Sequence, residues 1–144
     1  MATVEERFSA ALHSTARAWR LAVDRRLRHL GMSQASWLTV AMVARAKAPL
    51  PQVELAQRVG VEGATMAVML NRLARAGLVE RTASRADRRV KHVTLTPAGE
   101  ALYEQVRTQA GAVRKTLLKG LEPAALLAAT ELLEQLQAAL DAEP

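Results

Sequence analysis

The feature that most narrows the fold of this chain is a change of hydrophobic period near its middle. From Glu5 to about Leu30 the apolar residues Phe8, Leu12, Ala16, Trp19, Val23, Leu27 and Leu30 recur three or four apart with arginines between them, the spacing of a long amphipathic helix. Between Leu78 and Thr96 the period falls toward two. Leu78-Val79-Glu80-Arg81-Thr82 and Val90-Lys91-His92-Val93-Thr94-Leu95-Thr96 are β-branched and roughly alternating, as strands are. Helical spacing then returns. The pattern predicts a mainly α fold with a small β-hairpin, in the α+β class.

Glycine, proline and capping residues punctuate the helical parts. Gly31 ends the first helix, and Ser33 suits the N-cap of a second in which Trp37, Val40, Ala41 and Ala44 carry the period toward Lys47. Pro49 and Pro51 flank Leu50, and Pro51 fits the first turn of a short third helix holding Val53, Leu55, Ala56 and Val59, which Gly60 terminates. A fourth helix is expected from about Gly63 to Ala76, with Met66, Met69, Leu70 and Leu73 on one face and Gly77 as its stop. Two short helices meeting at Val59-Gly60-Val61 form a helix-turn-helix.

The polar, basic stretch from Ala83 to Arg89 is longer than a tight turn and reads as a wing projecting from the hairpin. Thr96 then caps a fifth helix with Pro97 at its first position and Glu100 in its first turn, running to about Lys119. After Gly120, Pro123 opens a sixth whose Leu126, Leu127, Thr130, Leu133, Leu136, Gln137 and Leu140 make a leucine-rich face. The long helices at the two ends carry more apolar surface than so small a central module can cover. That excess predicts pairing with a second copy; folding back onto their own domain is the other way to bury it.

A chain of 144 residues suits one domain. No apolar run approaches the roughly 20 residues that span a bilayer, so no membrane partner is expected. Met1 to Ser9 carries Glu5, Glu6 and Arg7 and lacks the apolar stretch of a signal peptide, which makes the cytoplasm the expected location. With no cysteine, disulfides and thiolate metal sites are absent. The formal charge of +6 favours an anionic partner, although charge without position is weak evidence. There is no nucleophile elbow, P-loop, dinucleotide fingerprint or paired-histidine zinc motif, so neither an enzyme nor a cofactor is expected. His13 and His29 lie too far apart along one helix to share a metal and His92 sits beside the wing, which leaves open only a zinc site built across chains.

Four stretches, Trp19-Arg20 with Asp24-Arg25-Arg26-Leu27, Ser33-Gln34 with Trp37, Gln57-Arg58-Val59-Gly60-Val61-Glu62, and Gly77-Leu78-Val79-Glu80-Arg81 leading to Asp87-Arg88-Arg89-Val90-Lys91, are joined by Leu95-Thr96-Pro97-Ala98-Gly99. In order and content they resemble the MarR family, and within it the SlyA-like branch, over nearly the whole chain. The resemblance implies a bacterial regulator of transcription: a winged helix-turn-helix over about residues 33–96, with dimerisation helices over about 5–31 and 97–142. Together these form one domain over 1–144 that binds a pseudo-palindromic operator in double-stranded DNA as a homodimer.

By the same resemblance the fourth helix enters the major groove, with Gly63, Ala64, Thr65, Ala67, Val68 and Asn71 on its outer side. Arg88 matches the wing-tip arginine that reaches a minor groove, where a narrow groove concentrates negative potential. Arg89 follows it, Arg85 and Lys91 can reach phosphate, and Asp87 is placed to hold one arginine. Arg72, Arg75 and the helix start at Gln52 would contact the backbone. Relatives commonly carry a basic residue where Val68 stands, and its absence removes the arginine-guanine pair from this face. A solvated charged loop is the plainer reading of the wing, and a protein-interaction module with weak or lost DNA binding is the alternative for the whole chain.

Several relatives accept small aromatic carboxylates between the dimerisation helices and the DNA-binding module. By position this implies Arg17, Arg20, Met32, Ser36 and Trp37, an arginine pairing with the carboxylate and a tryptophan packing on the ring. Core or interface packing is the more ordinary account of Trp19 and Trp37, and solubility of the arginines on the first helix.

Overall fold

A computed structural model describes residues 1–143, which divide into two compact units, Met1–Val113 and a second beginning at Arg114. In the first unit, α1 (Val4–Leu27) starts at a reciprocal cap: the Thr3 hydroxyl accepts from the Glu6 amide, and the Glu6 carboxylate accepts from the Thr3 amide. A single 3-10 turn, Arg28–Leu30, leads to Gly31, and Ser33 caps α2 (Gln34–Arg45) by accepting from the Ser36 amide at 3.2 Å. There follow β1 (Leu50–Pro51), α3 (Gln52–Val59), α4 (Gly63–Arg75), β2 (Val79–Ala83), β3 (Lys91–Leu95) and α5 (Pro97–Leu117). Gly60, at φ 81°, turns α3 into α4 in the left-handed conformation that a side chain disfavours.

The sheet departs from the expected two-stranded hairpin. It has three antiparallel strands in the order β1-β3-β2, with Leu50 opposite Val93 and Pro51 opposite His92. Two residues are too few to show alternation. Proline, which lacks an N–H, argued against a strand at a position where only an edge tolerates it. Pro51 accordingly stands just before α3 as its N-cap residue rather than inside its first turn. On the other side β2 and β3 pair from Val79↔Leu95 to Ala83↔Lys91, so the segment between Ala83 and Lys91 projects as a wing.

Two hydrophobic clusters hold this unit. Val40, Leu55, Met66, Leu70 and Val93 are fully buried together and join α2, α3, α4 and the sheet. Truncating a side chain such as Leu70 to alanine in this setting costs about 2–5 kcal/mol. Val23, Leu27, Trp37 and Val106 form the second cluster between α1, α2 and α5. Thr39, also buried, donates its hydroxyl to the Ala35 carbonyl at 2.7 Å and thereby avoids an unpaired polar group.

The Leu-Thr-Pro-Ala-Gly string forms a joint. Thr96 donates its hydroxyl to the Gly77 carbonyl at 2.5 Å and accepts from the Gly99 amide at 3.1 Å, tying the stop of α4 to the start of α5. A Cβ on Gly99 would lie 2.0 Å from the Leu78 carbonyl oxygen, so only glycine fits there.

The second unit contains the end of α5, a turn at Gly120 and α6 (Pro123–Asp141). Glu122 caps α6, its carboxylate oxygens accepting from the Ala124 and Ala125 amides at 3.0 and 2.8 Å. No described residue of α6 is buried, and Leu127, Leu132, Leu133 and Leu140 are exposed. No helix among the described residues is long and apolar enough to cross a membrane.

Candidate nucleic-acid interface

The core determines which face of α4 is free. Met66, Met69, Leu70 and Leu73 are turned into the protein, which leaves Gly63, Ala64, Thr65, Val68, Asn71, Arg72 and Arg75 exposed and Ala67 half-buried. Val68 is 52 % exposed with no polar group to offer. The outer face thus begins small and, apart from the Thr65 hydroxyl, apolar, and becomes polar and basic in its second half. Gln52, at the first position of α3, is half-buried.

The wing presents Arg85, Arg88, Arg89 and Lys91, all exposed. Its conformation is set internally: the Ser84 amide donates to the Val90 carbonyl at 2.8 Å, and the Ser84 hydroxyl accepts from the Ala86 amide at 3.2 Å. Asp87 organises the tip. One of its oxygens accepts from the Arg89 amide at 3.0 Å and from Nε at 3.1 Å, while the other accepts from Nη2 at 3.1 Å. That charge-assisted fork holds the Asp87 carboxyl below the usual aspartate range. Asp87 therefore engages Arg89, and among the described residues Arg88 makes no ion pair.

One basic residue at this surface escaped the sequence reading. Arg81, on β2, donates from Nη2 to the Asn71 side-chain oxygen of α4 at 2.5 Å. The residues lie ten apart, and no helical or strand period links them; only the packing of α4 against the hairpin brings them together. The one available signal was an arginine at an outward strand position beside the predicted wing.

The residues expected to hold an effector are distributed. Arg17 and Arg20 line a groove of about 430 Å³ along α1 with Leu12, His13, Ala16, Leu21 and Gln34. Ser36 lines another, of about 480 Å³, between the start of α2 and the outer face of α4, with Ala64, Thr65, Val68 and Arg72. Met32 is half-buried and packs on both clusters. Trp37 is only 7 % exposed and belongs to the second cluster, and its Nε1 finds no hydrogen-bond partner among the described residues.

A family model described as the MarR family matches residues 30–90, the stretch from the end of the first helical segment through the wing. Among solved structures, that of transcriptional regulator PA3341 has 42% sequence identity and a TM-score of 0.85, covering 94% of this chain and 99% of that one. Wild-type MarR from E. coli in its apo form has 24% identity and a TM-score of 0.79, covering 94% of this chain and 97% of that one. CouR from Rhodococcus jostii RHA1, solved bound to p-coumaroyl-CoA, has 18% identity and a TM-score of 0.78 over 94% of this chain and 95% of that one.

Proposed function

Because the chain belongs to the MarR family, whose members are regulators of transcription and not enzymes, we propose that it acts as a homodimer on a pseudo-palindromic operator in double-stranded DNA. The carrying observation is the joint exposure of the outer face of α4 and of Arg85, Arg88, Arg89 and Lys91 on one sheet-braced scaffold. In this reading α4 occupies the major groove and Arg88, which no carboxylate holds, enters the neighbouring minor groove. Arg72, Arg75 and Gln52 contact phosphates and set affinity and register rather than sequence. Residues 33–96 serve as the DNA-binding part, and residues 5–31 and 97–142 as the dimerisation helices.

The exposed leucines of α6 and the exposed Val4, Phe8 and Leu21 of α1 support the dimer, because apolar surface on this scale is ordinarily covered by a partner. A two-fold dimer sets half-site centres about 10 base pairs apart, or a multiple of that. The effector in this reading is a small aromatic carboxylate held by Arg17 or Arg20, and it releases DNA by favouring a dimer with wrongly spaced recognition helices. The p-coumaroyl-CoA bound to CouR, a conjugate of an aromatic acid, is of related chemistry.

Sedimentation of the protein with a selected duplex tests the arrangement. Two chains per duplex, together with loss of binding when one half-site is scrambled, agree with it. One chain on a single half-site at full affinity contradicts it, and a dimer with no DNA affinity would point to a protein-interaction module.

A further inference from the structure

The contact between Arg81 and Asn71 bears on which base the recognition helix can read. An asparagine facing a major groove ordinarily reads adenine with both ends of its amide, Nδ2 donating to N7 and Oδ1 accepting from the N6 amino group. In Asn71 one lone pair of the amide oxygen is already taken, and the orientation of the amide with it. Its Oδ1 accepts from Arg81 Nη2 at 2.5 Å. Because guanidinium donates at every nitrogen and accepts at none, the atom turned toward Arg81 has to be the oxygen, which turns Nδ2 the other way.

The β2–β3 ladder, in which Arg81 stands opposite Val93, holds the arginine's backbone in place, and among the described residues no carboxylate forms an ion pair with it. Asn71 itself shares the exposed side of α4 with Ala64 and Val68, two helical turns and one before it.

We infer that Arg81 is a positioning residue that turns the Asn71 amide, its oxygen toward the arginine and its Nδ2 toward the groove, so that the base pair Asn71 faces is favoured when it presents acceptors, guanine or thymine, over adenine. This deepens the DNA-binding reading above and rests on it. Guanine offers N7 and O6 and thymine offers O4, all acceptors, whereas adenine N6 and cytosine N4 bring donors for which there remains only the second lone pair of an oxygen turned toward Arg81. Removing Arg81 frees Oδ1 and restores the two-ended match to adenine. The arginine thus sets a base preference without touching the base.

The test is selection from a pool of duplexes with about 20 random base pairs, room for two half-sites, using the wild-type protein, Arg81→Ala, Arg81→Lys and Asn71→Ala. Arg81 is exposed, so its loss leaves the core intact, and Arg81→Lys keeps a donor for Oδ1. The wild type and Arg81→Lys are expected to enrich guanine or thymine at one position of each half-site. In Arg81→Ala adenine at that position should rise by about fivefold or more, the lower end of a bidentate contact's discrimination. Asn71→Ala should lose the preference there and keep the others. A general fall in affinity with unchanged preference in Arg81→Ala would show Arg81 to be a phosphate contact and overturn the inference. Adenine already enriched by the wild type would overturn it too, since Arg81 would then not decide what Asn71 reads. A wild type that enriches no sequence would overturn the DNA-binding reading itself, an outcome distinct from both.

Discussion

In the proposed reading α4 and the wing are the two surfaces this protein offers to DNA, and they are built on opposite principles. The first half of the outer face of α4 is small and, apart from Thr65, apolar, ends in Val68, and brings neither charge nor a fork of donors. The charge of the wing is mostly positive, four cations (Arg85, Arg88, Arg89 and Lys91) against one carboxylate, Asp87, which is spent on ordering Arg89. A surface with few hydrogen-bonding groups discriminates by shape and methyl contact, whereas a charged finger supplies salt-dependent affinity and senses groove width. On the proposed reading the affinity and most of the reading of sequence are carried by different elements, and their relative placement matters more than either alone.

That placement is the most sensitive point. Gly99→Ala drives a Cβ into the Leu78 carbonyl oxygen at the joint between α4, the hairpin and α5, where only backbone can yield. It should destabilise the protein by several kcal/mol, on the scale of about 3 kcal/mol or more for backbone strain and overpacking combined, seen as a large fall in Tm. An unchanged melting curve would mean that the joint does not fix the wing.

Next in size is the wing itself. Arg85→Ala, Arg88→Ala and Arg89→Ala combined should lower DNA affinity by orders of magnitude at moderate salt and flatten the salt slope by up to about three contacts, read from a plot of log K against log salt. If α4 carried the affinity instead, the slope would barely move. Arg88→Ala alone should cost most on AT-rich sites, about tenfold, because a narrow groove concentrates the potential it senses; equal loss on every duplex would make Arg88 a plain phosphate contact.

The contrast between helix and wing can also be narrowed from the other side. Val68→Arg gives α4 the guanidinium it lacks, and it should add a guanine preference worth about 1–3 kcal/mol at one position per half-site in a selection experiment. The smallest effect is expected from Asp87→Asn. It loosens Arg89 and should change affinity by less than about fivefold, since the pair is exposed. The carboxyl sits below its ordinary range, so whatever the pair contributes is complete at neutral pH and is lost only as the pH falls through that lowered value. Acid sensitivity of the wing near neutrality would contradict this.

Much of this molecule could be read from its sequence because its elements announce their ends locally. Ser33, Gly31, Gly60, Gly77 and the Thr96-Pro97 pair act through backbone geometry within a few residues, so their positions in the chain suffice. The face of α4 was equally legible, since Met66, Met69, Leu70 and Leu73 leave only one side for solvent. What escaped depends on distant contacts. β1 exists because Leu50 and Pro51 meet Val93 and His92, and two residues have no period of their own. Arg81 meets Asn71 only after the hairpin has docked on α4. The residues expected to hold an effector were the least legible, for Trp37 packs with Val23, Leu27 and Val106, and its spacing in sequence does not tell packing from lining a site.

Sequence-specific DNA binding by this charged surface can be measured by fluorescence anisotropy. A labelled pseudo-palindromic duplex taken from selection is titrated with the full-length protein at several salt concentrations, against an excess of unrelated DNA. The account predicts binding that survives the competitor and weakens steeply with salt, log K falling linearly with log salt. Binding that the competitor abolishes, or an affinity indifferent to salt, would contradict it.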